Sequence, residues 1–178
     1  PHSFMHLLDK VDYCVTFSPW QVETYKQSTQ KDNVFYLPHL LPMVVEQVKT
    51  EWNKDKFTFF SMFRWDERKD PLTLIRSYLY EFSMSDNVLL VMKTSDINIQ
   101  TVTQTIGTLK ERSRIFKPWP QIIVQTDTLS NADLNNLYSS ADVFVLPTRG
   151  EGWGYGFNEA LLHGLPCIYP DSPQIPGS

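Results

Sequence analysis

From residue 57 onward, short continuous apolar runs alternate with longer segments whose apolar positions recur at helical spacing. The runs 57–60, 87–92, 121–124 and 141–146 show no in–out alternation, which predicts strands buried on both faces. Between the first two, Leu72, Ile75, Leu79 and Phe82 share one face of a helix predicted over 71–82, with Pro71 in its first turn. Further helices are predicted over 99–115, despite its threonines and Gly107, and over 131–139 behind the capping residue Ser130. Another is predicted to begin at Ala160 and run through Leu162, followed by a last short strand at 166–169. Strands alternating with helices in this way predict an α/β fold: a Rossmann-like parallel sheet with helices on both faces.

The first part of the chain reads differently. Residues 11–17 and 33–37 are strand-like, Ser18 and Pro19 open a short helix over 20–27, and Pro38 closes the second strand. Residues 39–53 carry Pro42 and no period, so they read as a linker. The expected organisation is therefore the end of an N-terminal domain at 1–38, an interdomain linker at 39–54, and a C-terminal domain at 55–178. The start at Pro1 and the loose-looking stretch 170–178 lead us to expect a piece of a larger protein, with the C-terminal domain incomplete at its end.

Composition narrows the function. The chain has 178 residues, 42% hydrophobic and 20% charged, an ordinary soluble globular balance. A net charge of −4 without any Lys/Arg cluster argues against nucleic acid as a partner. No apolar run approaches the roughly 20 residues of a membrane span. Cys14 and Cys167 lie in separate apolar runs and read as two buried thiols rather than a disulfide or metal ligands. His2, His6, His39 and His163 are dispersed and no Asp-x-Asp occurs, so no metal site is expected; His163, near an apolar helix end, reads as structural. A dinucleotide fingerprint fails because its third glycine position falls on Tyr155 or Phe157, and there is no phosphate-loop motif.

The loops that follow strands carry the chemistry, because ligands of parallel sheets bind at the carboxyl ends of the strands. After 143–146 comes a stretch in which Gly150, Gly152, Gly154 and Gly156 alternate, four of the chain's seven glycines. Such a turn admits a ligand close to the backbone, and free N–H groups where a helix begins favour a phosphate. Glu151 and Glu159 flank the loop; they would repel phosphate, and hydroxyl groups are their natural partners. Amides for phosphate and carboxylates for hydroxyls together point to a phosphorylated sugar, for example a nucleotide sugar. After 57–60 come Arg64, Arg68 and Lys69, and Arg64 or Lys69 can converge with the 150–157 amides on one diphosphate. Taken singly, each of these residues has an ordinary reading: a solvated loop cation, a solvent-facing loop carboxylate at Glu151, or a helix-start carboxylate favoured by the dipole at Glu159.

Taken together, they form a pattern. Tyr138, Ala141, Asp142 and the run 143–154 with Glu159 and Ala160 resemble the signature of the retaining glycosyltransferases of family 4, of GT-B fold. The resemblance includes a pair of glutamates at 151 and 159, and Gly164 to Pro166 fit as well. Arg64 and Lys69 stand where that family has its Arg and Lys pair, with Asp70, Pro71, Leu74 and Ile75 continuing the match. Ser18 to Trp20 and Leu37 to His39 are similar to the family's last N-terminal segments and hinge. The likeness covers most of 11–170, with 138–166 its most specific block.

The resemblance implies that 1–38 ends the acceptor-side domain and 55–178 binds the nucleotide sugar. Arg64 and Lys69 would hold the donor diphosphate and stabilise charge on the leaving group. Glu151 would hold hydroxyls of the transferred sugar, and Glu159 those of the ribose. Gly152, Trp153, Gly154, Tyr155, Gly156 and Phe157 would complete the donor site, their amides sharing the phosphate. No metal or other cofactor would be needed, and the acceptor (glycan, lipid or small molecule) is left open. A cytoplasmic protein is implied, held at a membrane face, if at all, through segments outside this chain, and this piece alone is expected to be inactive in transfer. A non-catalytic nucleotide-sugar-binding module and a GT-B epimerase or phosphorylase remain the alternatives. Two departures stand out: Phe63 replaces the glycine usual before the Arg, which narrows the room near the phosphates, and Lys93-Thr94 follow the strand ending at Met92 where glycine is usual.

Overall fold

The computed structural model describes residues 7, 10–40 and 55–171. These fall into two compact units, one of 7, 10–40, 150–154 and 171, the other of 55–149 and 155–170. Nearly all of the linker expected at 39–54, and the stretch 172–178, lie outside the described residues.

The first unit holds strand β1 (Cys14–Thr16), helix α1 (Pro19–Thr29) and strand β2 (Val34–Tyr36), with β1 and β2 paired in parallel from Cys14 opposite Val34. Ser18 Oγ accepts from the Gln21 N–H at 3.2 Å, and Pro19 occupies the first helical position, where no N–H is missed. The helix ends at Gln30, whose φ of 57° turns the chain out in the left-handed conformation.

The second unit is a five-stranded parallel sheet. Its elements in chain order are β3 (Phe57–Arg64), α2 (Pro71–Glu81), β4 (Val88–Ser95), α3 (Ile99–Ser113), β5 (Gln121–Gln125), α4 (Asn131–Ser139), β6 (Val143–Val145), α5 (Tyr155–Leu162) and β7 (Cys167–Ile168). The strand order is β5-β4-β3-β6-β7. The chain thus winds outward from β3 in one direction and returns beside it through β6, which makes the β3–β6 seam the switch point of the sheet. Asp142 fixes that seam: its carboxylate accepts from the Thr58 N–H at 2.7 Å and its own N–H donates to the Thr58 carbonyl at 3.0 Å.

Helices cover both faces, as the unbroken apolar strands require. Leu89, Leu90, Val91 and Met92 of β4 are buried whichever way they point. Phe59 faces α2, against Tyr78 and Phe82, at centroid distances of 5.9 and 5.5 Å. Phe60, one residue on, points the other way and meets Tyr138 of α4 edge-on at 4.9 Å. Phe144 of β6 lies beside it, 5.8 Å from Phe60, and carries Phe157 of α5 at 5.5 Å.

Several expected boundaries move. β3 runs to Arg64 rather than Phe60, because Ser61 is fully buried and pairs onward with β4. β4 likewise runs to Ser95, so Lys93 and Thr94 lie within the strand, and the left-handed position comes at Asp96, φ 61°. β6 is shorter than expected, Val143–Val145, because Ala141 and Asp142 form the turn that enters it. The largest shift concerns α5, which starts at Tyr155 and not Ala160. Cys14 and Cys167 are free thiols, half-buried rather than buried, and burial pushes the Cys167 thiol up to about 11.

Candidate functional site

The loops after β3 and β6 leave adjacent strands at the same edge and are tied together there. The Arg149 N–H donates to the Arg68 carbonyl at 2.7 Å, and Thr148 Oγ1 donates to the same oxygen at 3.2 Å. The Arg149 guanidinium then reaches across to Asp70 Oδ2 through Nε and Nη2, both at 3.3 Å, and to Glu67 Oε1 through Nη1 at 3.0 Å. Asp70 is itself a junction. It closes the 3-10 turn Glu67–Lys69, caps α2 by accepting from the Thr73 N–H, and sits at φ 50°, a left-handed value that Asp tolerates better than most residues.

Burial disfavours the charge on Asp70, but the hydrogen bonds from Thr73 and Arg149 outweigh it and hold the carboxyl below its ordinary pKa. Stability from a depressed carboxyl is full above the ordinary value of about 3.9 and is lost as pH falls through the depressed one. Asp70→Asn keeps a capping side chain and a residue that tolerates positive φ, so it isolates the charge. The variant is expected to melt below the wild type at pH 7, with the gap closing as both are taken below about pH 4. A gap that stays constant down to the lowest pH at which both fold would show that the charge contributes nothing.

Arg64 ends β3 instead of lying in the loop. Its Nε is 3.1 Å from Asp96 Oδ2, and both side chains are more than half exposed, at 69% and 58%. An exposed pair of this kind contributes about 0–1 kcal/mol, so an incoming anion can displace Asp96 at little cost. Lys69 closes the 3-10 turn, with its N–H on Asp66 Oδ1 at 3.0 Å. Phe63 turns its ring into the core, 5% exposed, so the bulk expected to crowd the phosphates is core volume instead.

The glycine-rich stretch divides between the units after Gly154. In the first unit, Glu151 is half-buried, Gly152 exposed, and the ring of Trp153 meets His39 and Phe17 edge-on at 5.5 and 6.5 Å. His39 and Phe17 are stacked on each other at 3.9 Å. Gly154 has φ 76°, the position in this turn that needs a residue without Cβ.

In the second unit, Tyr155, Gly156 and Phe157 form the first turn of α5. Gly156 serves the packing of this helix on the sheet: a Cβ there would lie 3.1 Å from Phe144 Cζ and 3.8 Å from the Met62 carbonyl oxygen. The first turn of α5 is thereby seated over the ends of β3 and β6, two residues along β3 from Arg64. Phe157 is buried and Tyr155 exposed. Glu159 is half-buried, and its Oε2 accepts from the Tyr138 hydroxyl at 2.9 Å. His163 is buried, stacks on Tyr138 at 5.0 Å and has Nδ1 2.8 Å from the Glu159 carbonyl. Its Nε2 is buried without a hydrogen-bond partner, so the structural role expected of this histidine is met on one ring nitrogen.

Sequence reasoning left three participants without a role: Arg149, Asp96 and Tyr138. Arg149 and Tyr138 lie within the signature over 138–160, but nothing local to either residue signals its contact, with Asp70 and Glu67, 79 and 82 residues away, for Arg149 and with Glu159 on the next helix for Tyr138. Among the described residues no three His, Cys, Asp or Glu side chains gather into a metal-binding group, and no helix is long and apolar enough to cross a membrane.

With this geometry in view, the chain can be set beside known proteins. Residues 88–177, just over half of the chain, match the family model described as glycosyl transferases group 1. The sulfoquinovosyl transferase SQD2 of Arabidopsis thaliana is 33% identical over 67 residues, which cover 38% of this chain and 13% of that protein. The pneumococcal O-GlcNAc transferase GtfA, solved with UDP and GlcNAc, superposes with a TM-score of 0.72 at 16% identity, over 96% of this chain and 32% of its own. Anabaena HepE, solved with UDP and glucose, gives a TM-score of 0.70 at 13% identity, over 97% of this chain and 49% of its own. The chain therefore spans between an eighth and a half of the length of these relatives. What the two solved structures share with it is the fold, a Rossmann-like parallel sheet with helices on both faces, as in GT-B glycosyltransferases.

Proposed function

The chain belongs to the group 1 glycosyl transferases, and from that premise we propose that it carries the donor site of a retaining enzyme that moves a sugar from a nucleotide sugar to an acceptor. The observation that carries this reading is the seating of α5. Its first turn lies over the ends of β3 and β6, with Gly156 against Phe144 and the Met62 carbonyl, beside the strand end that bears Arg64. Oriented N–H groups and a cation at one sheet edge are what a diphosphate requires.

Each residue then has a task. Arg64 and Lys69 bind the diphosphate, and the amides of Gly152, Gly154 and the 155–157 turn share it. When the bond between the sugar's C1 and the β-phosphate oxygen breaks, the electron pair leaves on the nucleoside diphosphate. Preorganised positive charge is most effective at that developing charge. These side chains supply it without a bound metal in our reading. Glu151, two residues beyond Arg149 on the same loop, accepts from hydroxyls of the transferred sugar, and Glu159 accepts from the ribose. Two relatives of the same fold were solved with UDP, which makes a uridine nucleotide the first donor to try. In this reading the protein is cytoplasmic, and its acceptor is a glycan, lipid or small molecule.

Titration calorimetry of the folded chain against UDP, GDP and ADP, and then their sugars, tests the reading. One nucleotide is expected to bind, more tightly than its monophosphate. Absence of heat with all three, on protein with a cooperative melting transition, would remove the donor site.

A further inference from the structure

Tyr138 is almost wholly inaccessible, 1% exposed, yet it carries a hydroxyl that must be satisfied. That hydroxyl is spent on one residue of the site: it donates to Glu159 Oε2 at 2.9 Å and lies 3.4 Å from the Gly156 carbonyl. The ring has little freedom. It is stacked on His163 at 5.0 Å with an interplanar angle of 17°, and stands edge-on to Phe60 at 4.9 Å and 90°. His163 in turn holds the backbone of the same glutamate, Nδ1 to the Glu159 carbonyl at 2.8 Å. Glu159 is thus gripped at both its main chain and one carboxylate oxygen, while among the described residues no hydrogen bond is made to Oε1.

We infer that Tyr138 is a positioning residue for donor binding: by holding Glu159 Oε2 it presents Oε1 to the ribose hydroxyls of the nucleotide. The inference rests on the donor-site reading above. A glutamate on a helix surface samples many rotamers, and a ligand that needs one of them must meet the ordering cost. Here the cost is met during folding, by a donor whose own orientation is fixed by packing. Burial, followed by the nearby charge of Glu159, pushes the Tyr138 phenol well above its ordinary pKa, so it remains a donor at any pH the protein experiences. A neutral donor also leaves the carboxylate its full negative charge, which a lysine or arginine in the same place would offset.

The competing explanation is that the bond only fastens α4 to α5. Tyr138→Phe separates the two, since the phenyl ring keeps the contacts with His163, Phe60 and Phe144. The probe is whichever of UDP, GDP and ADP binds tightest, compared with its 2′,3′-dideoxy counterpart, which lacks the hydroxyls Glu159 would hold. For the variant we expect a loss of about threefold to tenfold for the ribonucleotide, the range for releasing one rotamer-rich side chain, and a change below about twofold for the dideoxy nucleotide. The dideoxy titration also counts the folded fraction through its stoichiometry, so partial unfolding would appear there and not as selective weakening. Adding Tyr138→Phe to Glu159→Ala should cost nothing further. Equal weakening of both nucleotides, or no change in either, would overturn the role of Tyr138. If Glu159→Ala itself spares the preference for the ribonucleotide, or no nucleotide binds the wild type, the donor-site assignment fails and takes this inference with it.

Discussion

Replacing Phe144 by alanine is expected to destabilise the chain by about 3–5 kcal/mol, the range for deleting a buried aromatic ring. That is a large share of the 5–15 kcal/mol typical of a folded domain. Phe144 is completely buried in β6, with Phe60, Tyr138 and Phe157 at centroid distances of 5.8, 5.9 and 5.5 Å. Its ring also abuts Gly156, where a Cβ would come within 3.1 Å of it. The neighbours come from a strand, two helices and a glycine, so no single side chain can swing in to fill the space. The loss should appear as a lower urea midpoint, with nucleotide affinity falling as well because α5 rests on this ring. Phe144→Leu, which keeps most of the volume, should cost far less, below about 1.5–2 kcal/mol. A loss under about 1 kcal/mol for the alanine variant would show that the aromatic cluster does not hold α4 and α5 to the sheet.

The second large effect falls on ligand binding. Arg64→Ala and Lys69→Ala are each expected to weaken the nucleoside diphosphate by about 1.5–3 kcal/mol, the contribution of a hydrogen bond to a charged group, which is roughly tenfold to 150-fold in Kd. Arg64 gives the sharper test of the two. It is paired with Asp96 at 3.1 Å, and that exposed pair, worth about 0–1 kcal/mol, is what a phosphate must displace. Arg64→Lys should recover only part of the loss, because an ammonium cannot present the bidentate fork. Raising the salt from 0.05 to about 0.5 M should weaken the wild type more than either alanine variant, since screening acts on the charges the variants have lost. Calorimetry at two salt concentrations reads both effects. An Arg64→Ala chain that binds the diphosphate within about twofold of wild type would exclude this residue from the phosphate site.

Much of the architecture was legible because it rests on local pattern. The runs at 57–60, 87–92 and 121–124 are strands in the structure, and the helix expected over 71–82 is Pro71–Glu81. Pro71 and the helical spacing of Ile75 and Leu79 announce that helix from a dozen consecutive residues, although Leu72, expected on the same face, is exposed and Leu74 and Tyr78 are buried in its stead. The start of α5 was not legible. Gly156 opposes helix formation by about 1 kcal/mol relative to alanine, and the glycine alternation read as a turn up to Ala160. The helix begins five residues sooner, at Tyr155, where Gly156 and Phe157 pack on Phe144. Contact with the sheet overrides the propensity. Arg64 was misplaced for a similar reason: Ser61 looks like the end of an apolar run, but pairing with Met92 carries β3 past it.

The candidate site divides along the same line. The strand–helix alternation, the parallel sheet it requires, and the set of side chains available at its edge are legible in the residues alone, because each follows from periodicity or residue chemistry within a short window. That β6 lies beside β3, that Arg149 spans 79 residues of chain to reach Asp70, and that Tyr138 on one helix holds Glu159 on the next emerge from the packing of the folded chain. Those pairings depend on which strands become neighbours and which way a side chain points from them, and no local window of sequence contains that information.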